Sequence, residues 1–90
     1  MRSRTNKQFR DLLESLPESV QRQAQDAYRL LCENPFHPGL NFKSVGQRDP
    51  NHWSVRVGIH YRAIGIRDGD DILWTWIDSP AEYDRERKRS

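Results

Sequence analysis

The chain has 90 residues, a formal net charge of +2 from 15 Lys and Arg against 13 Asp and Glu, and a hydrophobic fraction of 34%. That length holds one domain, 1–90, which buries only a little over about 60% of its unfolded surface. One cysteine, Cys32, excludes an internal disulfide and a cysteine-built metal cluster, and no apolar run approaches a membrane span or signal peptide, so a cytoplasmic protein without membrane contact is expected.

The small net charge hides an asymmetry. Arg2, Arg4, Lys7 and Arg10 open the chain with no acid among them, and Arg85, Arg87, Lys88 and Arg89 crowd its end against Glu86. Basic ends focus a field on a polyanion, or simply keep a small domain soluble.

Thr5 is the predicted N-cap of a first helix, because Phe9, Leu12, Leu13 and Leu16 follow at amphipathic spacing. Pro17 ends it, since proline cannot donate the interior helix bond and drives Leu16 out of the α region. A second helix over about Glu18 to Glu33 carries Val20, Ala24, Ala27 and Leu31 on one stripe, flanked by Tyr28 and Leu30. The two alanines predict a close approach of the helices, and Cys32 is expected as a buried thiol. So short a join makes an antiparallel hairpin. Residues 34–39 stop the second helix and form a stiff connector. Asn41 to Val45 reads as a short first strand with Phe42 turned in and Lys43 out. Gly46 to Asn51 is a polar turn that holds Gln47, Arg48 and Asp49 in solvent.

His52 to Asp78 reads as three consecutive strands. Trp53, Val55, Val57 and Ile59 alternate with Ser54, Arg56, Gly58 and His60, the pattern of a strand with one buried face. Tyr61 to Arg67 places Arg62, Ile64 and Ile66 on one nominal side. Asp68 to Asp71 supplies turn chemistry. Ile72 to Ile77 is apolar or β-branched throughout, as in a central strand covered on both sides. Beyond Ser79 and Pro80, one helical turn is expected over Ala81 to Glu86. The resulting fold class is α+β: an N-terminal antiparallel helix hairpin packed on a twisted, mainly antiparallel sheet of about four strands.

The chemistry has to be found on that sheet. His37, His52 and His60 match no metal-ligand spacing, no glycine-rich stretch has phosphate-cradle spacing, and no nucleophile elbow occurs, so neither metal nor cofactor is expected. The cations are more informative. If Val55 and Val57 face the helices, Arg56 stands on the opposite face, Arg62 begins the next strand beside it, and Lys43 projects from the neighbouring short strand. Three such cations can grip a phosphodiester and stabilise a pentavalent transition state. The plainer alternative is that these are exposed sheet residues paired with carboxylates. Cleavage of RNA by its own 2′-hydroxyl also needs a proton acceptor and donor, and histidine suits both tasks near neutral pH. His52 and His60 both lie within reach of the free face, whereas His37, between two prolines, reads as a connector residue. Tyr83 is placed to stack on a base, to donate a proton, or to pack the C-terminal turn. Trp74 and Trp76 read as core first and as a base platform second. Arg48 and Arg85 are further RNA-contacting candidates.

The stretches NPFHPGLNFKSVG, WSVRVGIHYRAIGIRDGDDILWTWID and AEYDR resemble the RelE/ParE superfamily of toxins from bacterial toxin–antitoxin modules, especially short RelE-like translational repressors. With the helix hairpin they cover nearly the whole chain. The resemblance implies metal-free cleavage of mRNA in the ribosomal A site, with Arg62 on the scissile phosphate and Arg56 in proton transfer or charge stabilisation. It further implies Lys43 on RNA, Tyr83 stacked on the substrate base, and a cognate antitoxin covering this surface or an adjacent groove, through which oligomers form. This chain departs from the pattern where relatives carry a lysine at Ser54 and a histidine at Pro80. Relatives often begin with a strand, whereas only Met1 to Arg4 precede the first helix here, which predicts a bare or partner-paired sheet edge. The leading expectation is a ribosome-dependent mRNA endoribonuclease leaving a 2′,3′-cyclic phosphate. The alternatives are a ParE-like gyrase inhibitor, a catalytically weakened relative, and a scaffold that only binds a partner peptide.

Overall fold

In the computed structural model, which describes residues 2–46 and 50–78, the chain runs β1 (Arg2–Thr5), α1 (Lys7–Glu14), α2 (Glu18–Glu33), a 3-10 turn (Pro38–Leu40), β2 (Lys43–Ser44), β3 (His52–Val57), β4 (Tyr61–Asp68) and β5 (Asp71–Asp78). The strands form one sheet in the order β1-β5-β4-β3-β2. β1 runs parallel to β5, and every other pair is antiparallel. Both helices lie on one face, α1 against β5 and α2 against β3.

The sheet therefore has five strands rather than about four, and the edge expected to be bare or paired by a partner is occupied by β1 of the same chain, beside β5. Arg2 N donates to Asp70 O at 2.8 Å and Asn6 N to Trp74 O at 3.2 Å, which brackets the parallel register. The segment RSRT carries no apolar alternation, because as an edge strand it is held by main-chain bonds and keeps most of its side chains in water. β5 is accordingly the second strand from that edge, and β4 is central. Leu73 of β5 is exposed, so the strand is not covered on both sides as its composition predicts.

Local chemistry sets the helix ends. Asn6, not Thr5, caps α1: its Oδ1 accepts from Phe9 N at 2.9 Å. Thr5 is still the last residue of β1. α1 closes at Ser15, just before Pro17, and α2 spans the predicted residues. Ala24 and Ala27 do not bring the helices together. With Phe9 and Leu13 of α1 they line an apolar groove of about 570 Å³, floored by Val55, Val57, Ala63 and Trp74. Cys32 stands exposed on the rim of that groove and is not a buried thiol. Its hydrogen bond to Tyr28, then its charge, then slight burial raise the Tyr28 phenol above its ordinary pKa.

The core gathers Phe9, Val20 and Leu31 from the helices, Leu40 and Phe42 from the connector, and Val55, Val57, Ala63, Ile72, Trp74 and Ile77 from the sheet. One irregularity divides its far side. Gly65 pairs with Trp74 and Ile64 with Trp76, so Thr75 is an extra residue in β5, and its Oγ1 lies 3.4 Å from the Ile64 carbonyl. The two tryptophans, at a spacing that puts both on one side of a regular strand, are thereby split. Trp74 faces the helices and is buried, while Trp76 shares the opposite face with Ile64.

Gly65 makes room for the buried ring. A Cβ at this position would sit 2.8 Å from Trp74 Cε3 and 2.9 Å from the Leu73 carbonyl oxygen. Backbone cannot retreat as a flexible side chain can, so Gly65→Ala is expected to destabilise the fold by about 1–3 kcal/mol, read as a lower midpoint in urea with unchanged slope.

Candidate functional site

Strand register decides which polar side chains meet. In β3, Trp53, Val55 and Val57 point to the helices, and His52, Ser54 and Arg56 point away. Arg56 lies directly opposite Arg62 of β4, and Ser54 lies between Ile64 of β4 and Lys43 of β2. Lys43, Arg56 and Arg62 thus share one face, as the alternation predicts. Directly opposed residues have Cβ atoms about 5 Å apart, and like charges at that spacing repel. Among the described residues the ion pairs are Arg2 with Asp71, Lys7 with Asp11, and Arg22 with Glu18, so none engages this cluster. Arg56 is steered by its own loop, Nε donating to Gly58 O at 2.9 Å. Asp78 of β5 stands directly opposite Arg62 and puts a carboxylate position on its other flank.

The face is not uniformly open. Lys43, Arg56, Ile66 and Leu73 are exposed, Arg62, Trp76 and Asp78 are half-buried, and Ser54 and Ile64 are buried. Ser54 is wholly inaccessible, and its hydroxyl has no hydrogen-bond partner among the described residues. A buried hydroxyl without a partner is unusual, and this one lies between the positions of Lys43 and Arg56.

The histidines separate. His60 is exposed in the three-residue loop joining β3 to β4, one residue beyond the Val57–Tyr61 pair, which separates it in the ladder from Arg56 and Arg62. His52 is on the same face as Arg56 but four residues up the strand, roughly 13 Å away at strand rise. His37 caps the 3-10 turn, its Nδ1 accepting from Gly39 N at 3.0 Å, which fits a connector role. Ile59 does not continue the buried alternation of β3: it stands at the loop tip and is 73% exposed. Arg67 belongs to another structure: its guanidinium carbon lies 4.6 Å from the Trp53 ring centroid on the helix side. Arg48, Tyr83 and Arg85, with Pro80 and the helical turn predicted over 81–86, lie outside the described residues. Trp76 gains a place on the candidate face that strand periodicity could not give, because the bulge at Thr75 is silent in the hydrophobic pattern.

Among the described residues, no three His, Cys, Asp or Glu side chains cluster in a way that could hold a metal ion, and no helix is long and apolar enough to cross a membrane.

No protein-family model matches the sequence, and no curated protein is significantly similar to it. Solved structures are similar in fold. YafQ from E. coli strain BL21(DE3) superposes with a TM-score of 0.73 at 11% identity, over 92% of this chain and 98% of that one. A chain of the RelB–RelE antitoxin–toxin complex from Methanococcus jannaschii gives 0.70 at 20% identity, over 91% and 96%. The YoeB/ParE toxin from Agrobacterium tumefaciens gives 0.67 at 14% identity, over 88% and 98%. Helix pair, sheet and strand order together give this chain the RelE/ParE-like α+β fold over almost its full described length.

Proposed function

We propose that this protein is the toxin of a toxin–antitoxin module, a RelE-like endoribonuclease that cuts ribosome-bound mRNA and so represses translation. One observation carries the reading: two arginines directly opposed on neighbouring strands, with Lys43 on the same face and no ion pair to any of them among the described residues. A like-charged pair costs stability; Asp78 flanks Arg62 on one side only, and a phosphodiester lying over the pair offsets the rest.

The reaction in this reading runs as an internal transfer within the RNA. The 2′-hydroxyl gives up its proton and its oxygen attacks the adjacent phosphorus. The bond from phosphorus to the 5′-oxygen breaks, and that oxygen takes a proton. The products are a 2′,3′-cyclic phosphate and a free 5′-hydroxyl. Arg62 and Arg56 neutralise the equatorial oxygens, and the planar guanidinium fork suits two of them at once. His60, in the loop beyond the pair, is the residue for proton transfer, with Tyr83 stacking on the base. Lys43 and His52 extend the track along the strand, and Arg48 and Arg85 add contacts. The apolar groove on the helix side fits an amphipathic antitoxin helix, which would cover Tyr28 and the Ala24–Ala27 stripe.

The fold also serves toxins named ParE, but a gyrase inhibitor gives no account of the opposed arginines. Tightly controlled expression followed by mapping of mRNA 5′ ends decides between them. New 5′-hydroxyl ends within translated frames are expected within minutes of induction. Growth arrest without new ends would transfer the protein to the non-nuclease reading.

A further inference from the structure

The β3–β4 loop, residues 58–60, carries an apolar side chain at its tip. Ile59 at its tip is the most exposed of the large hydrophobic residues described, at 73%. The loop around it is tied down. Val57 and Tyr61 pair across its base. Arg56 Nε holds the Gly58 carbonyl at 2.9 Å. Gly58 has φ +65° and lies against helix α2 so closely that a Cβ there would stand 2.4 Å from Gln23 Oε1. Ile59 is thus an apolar side chain presented by a fastened loop, one residue from His60 and three residues along the chain from each of the opposed arginines.

We propose that Ile59 is a wedge that packs on a nucleobase of the RNA strand, next to the phosphate that Arg56 and Arg62 hold. This rests on the RNA reading above and adds the base contact to it. Apolar wedges of this size part stacked bases in other nucleic-acid complexes. The surroundings fit a polyanion: residues 56–62 hold Arg56, His60 and Arg62 and no acid, with Asp78 across from Arg62 as the facing carboxylate. The size fits too. A stable protein interface covers about 800 Å² on each partner, whereas the tip offers one branched side chain, matched to the face of one base. Seating the wedge would fix the register of the strand, setting which phosphate reaches the arginines.

The test uses the full chain and an uncleavable 2′-O-methyl single-stranded RNA carrying 2-aminopurine, titrated between 50 and 200 mM salt. Ile59→Ser is expected to weaken binding about five- to tenfold with the salt slope unchanged, because it removes apolar contact and no charge. It should also abolish the 2-aminopurine fluorescence change that wild type gives. Ile59→Trp should keep or strengthen both signals. Arg62→Ala should lower the salt slope by about 0.7. If Ile59→Ser binds and reports like wild type while Arg62→Ala weakens binding, the wedge is wrong and the RNA reading stands. If Ile59→Ser lowers the salt slope as Arg62→Ala does, or leaves RNA binding intact while losing a co-purifying protein, the tip has another role and the proposal fails. If wild type does not bind this RNA, the wedge is wrong, while the ribosome-dependent reading is decided by the mapped mRNA 5′ ends. The thermal midpoint of each variant separates binding loss from unfolding.

Discussion

Arg62→Ala should lower single-turnover cleavage of mRNA on programmed ribosomes by roughly 100- to 1,000-fold, the usual cost of removing one preorganised donor from a developing oxyanion. The fold should barely notice. The Arg62 side chain makes no hydrogen bond or ion pair among the described residues, and its removal relieves repulsion with Arg56. Arg62→Lys should recover only part of the rate, since an ammonium supplies charge without the two-pronged geometry. Arg56→Ala should also impair cleavage. The double variant should lose less than the product of the two single effects, because both groups act on one phosphate. Rates measured with saturating ribosomes, beside thermal midpoints, check all of this. Wild-type cleavage that survives Arg62→Ala unchanged would remove the cation pair from the chemistry.

The largest loss of stability is expected from the other side of the same sheet. Ile77 is wholly inaccessible, pairs across from Ala63, and belongs to the central cluster with Val57, Ile72 and Trp74. Ala63 is too small to collapse into the space its neighbour would vacate. Ile77→Ala should therefore cost about 2–5 kcal/mol, a large part of the roughly 5–15 kcal/mol that holds a small domain. At about 4–8 °C per kcal/mol, the midpoint should fall by roughly 8–40 °C. Differential scanning calorimetry reads it directly. A fall of only a few degrees would mean that the groove beside the helices lets the core close over the gap.

These two residues also mark what the sequence could and could not convey. The helices were legible because Phe9, Leu12 and Leu13, and Val20 and Leu31, sit at spacings that only a helix can bury. The placing of Arg56 and Arg62 followed from strict alternation through Val55, Val57 and Ala63 and from a tight loop between the strands. Alternation failed where geometry breaks it. Ile59 fits the period of β3, but Gly58 with its positive φ has already left the strand. Trp74 and Trp76 fit one side, but Thr75 shifts the register. β1 was invisible because an edge strand of polar residues is recruited by the backbone of its neighbour, which side-chain patterns do not record. Cys32 was misplaced because the helices stop short of each other and leave its side of α2 on the rim of a groove. Ser54 read as a missing lysine; only the packed sheet reveals it as a buried hydroxyl between two cationic positions.

The extra residue in β5 has a consequence for how this strand tolerates change. Losing Thr75 would leave Trp74 opposite Gly65 and Trp76 opposite Ile64, with the core and the arginine face each keeping its own residues. Losing Trp76 or Ile77 would turn the rest of the strand inside out, carrying Asp78 to the interior. Length variation in this strand therefore has one harmless address, and it lies at the boundary between the half that builds the interior and the half that flanks the arginines.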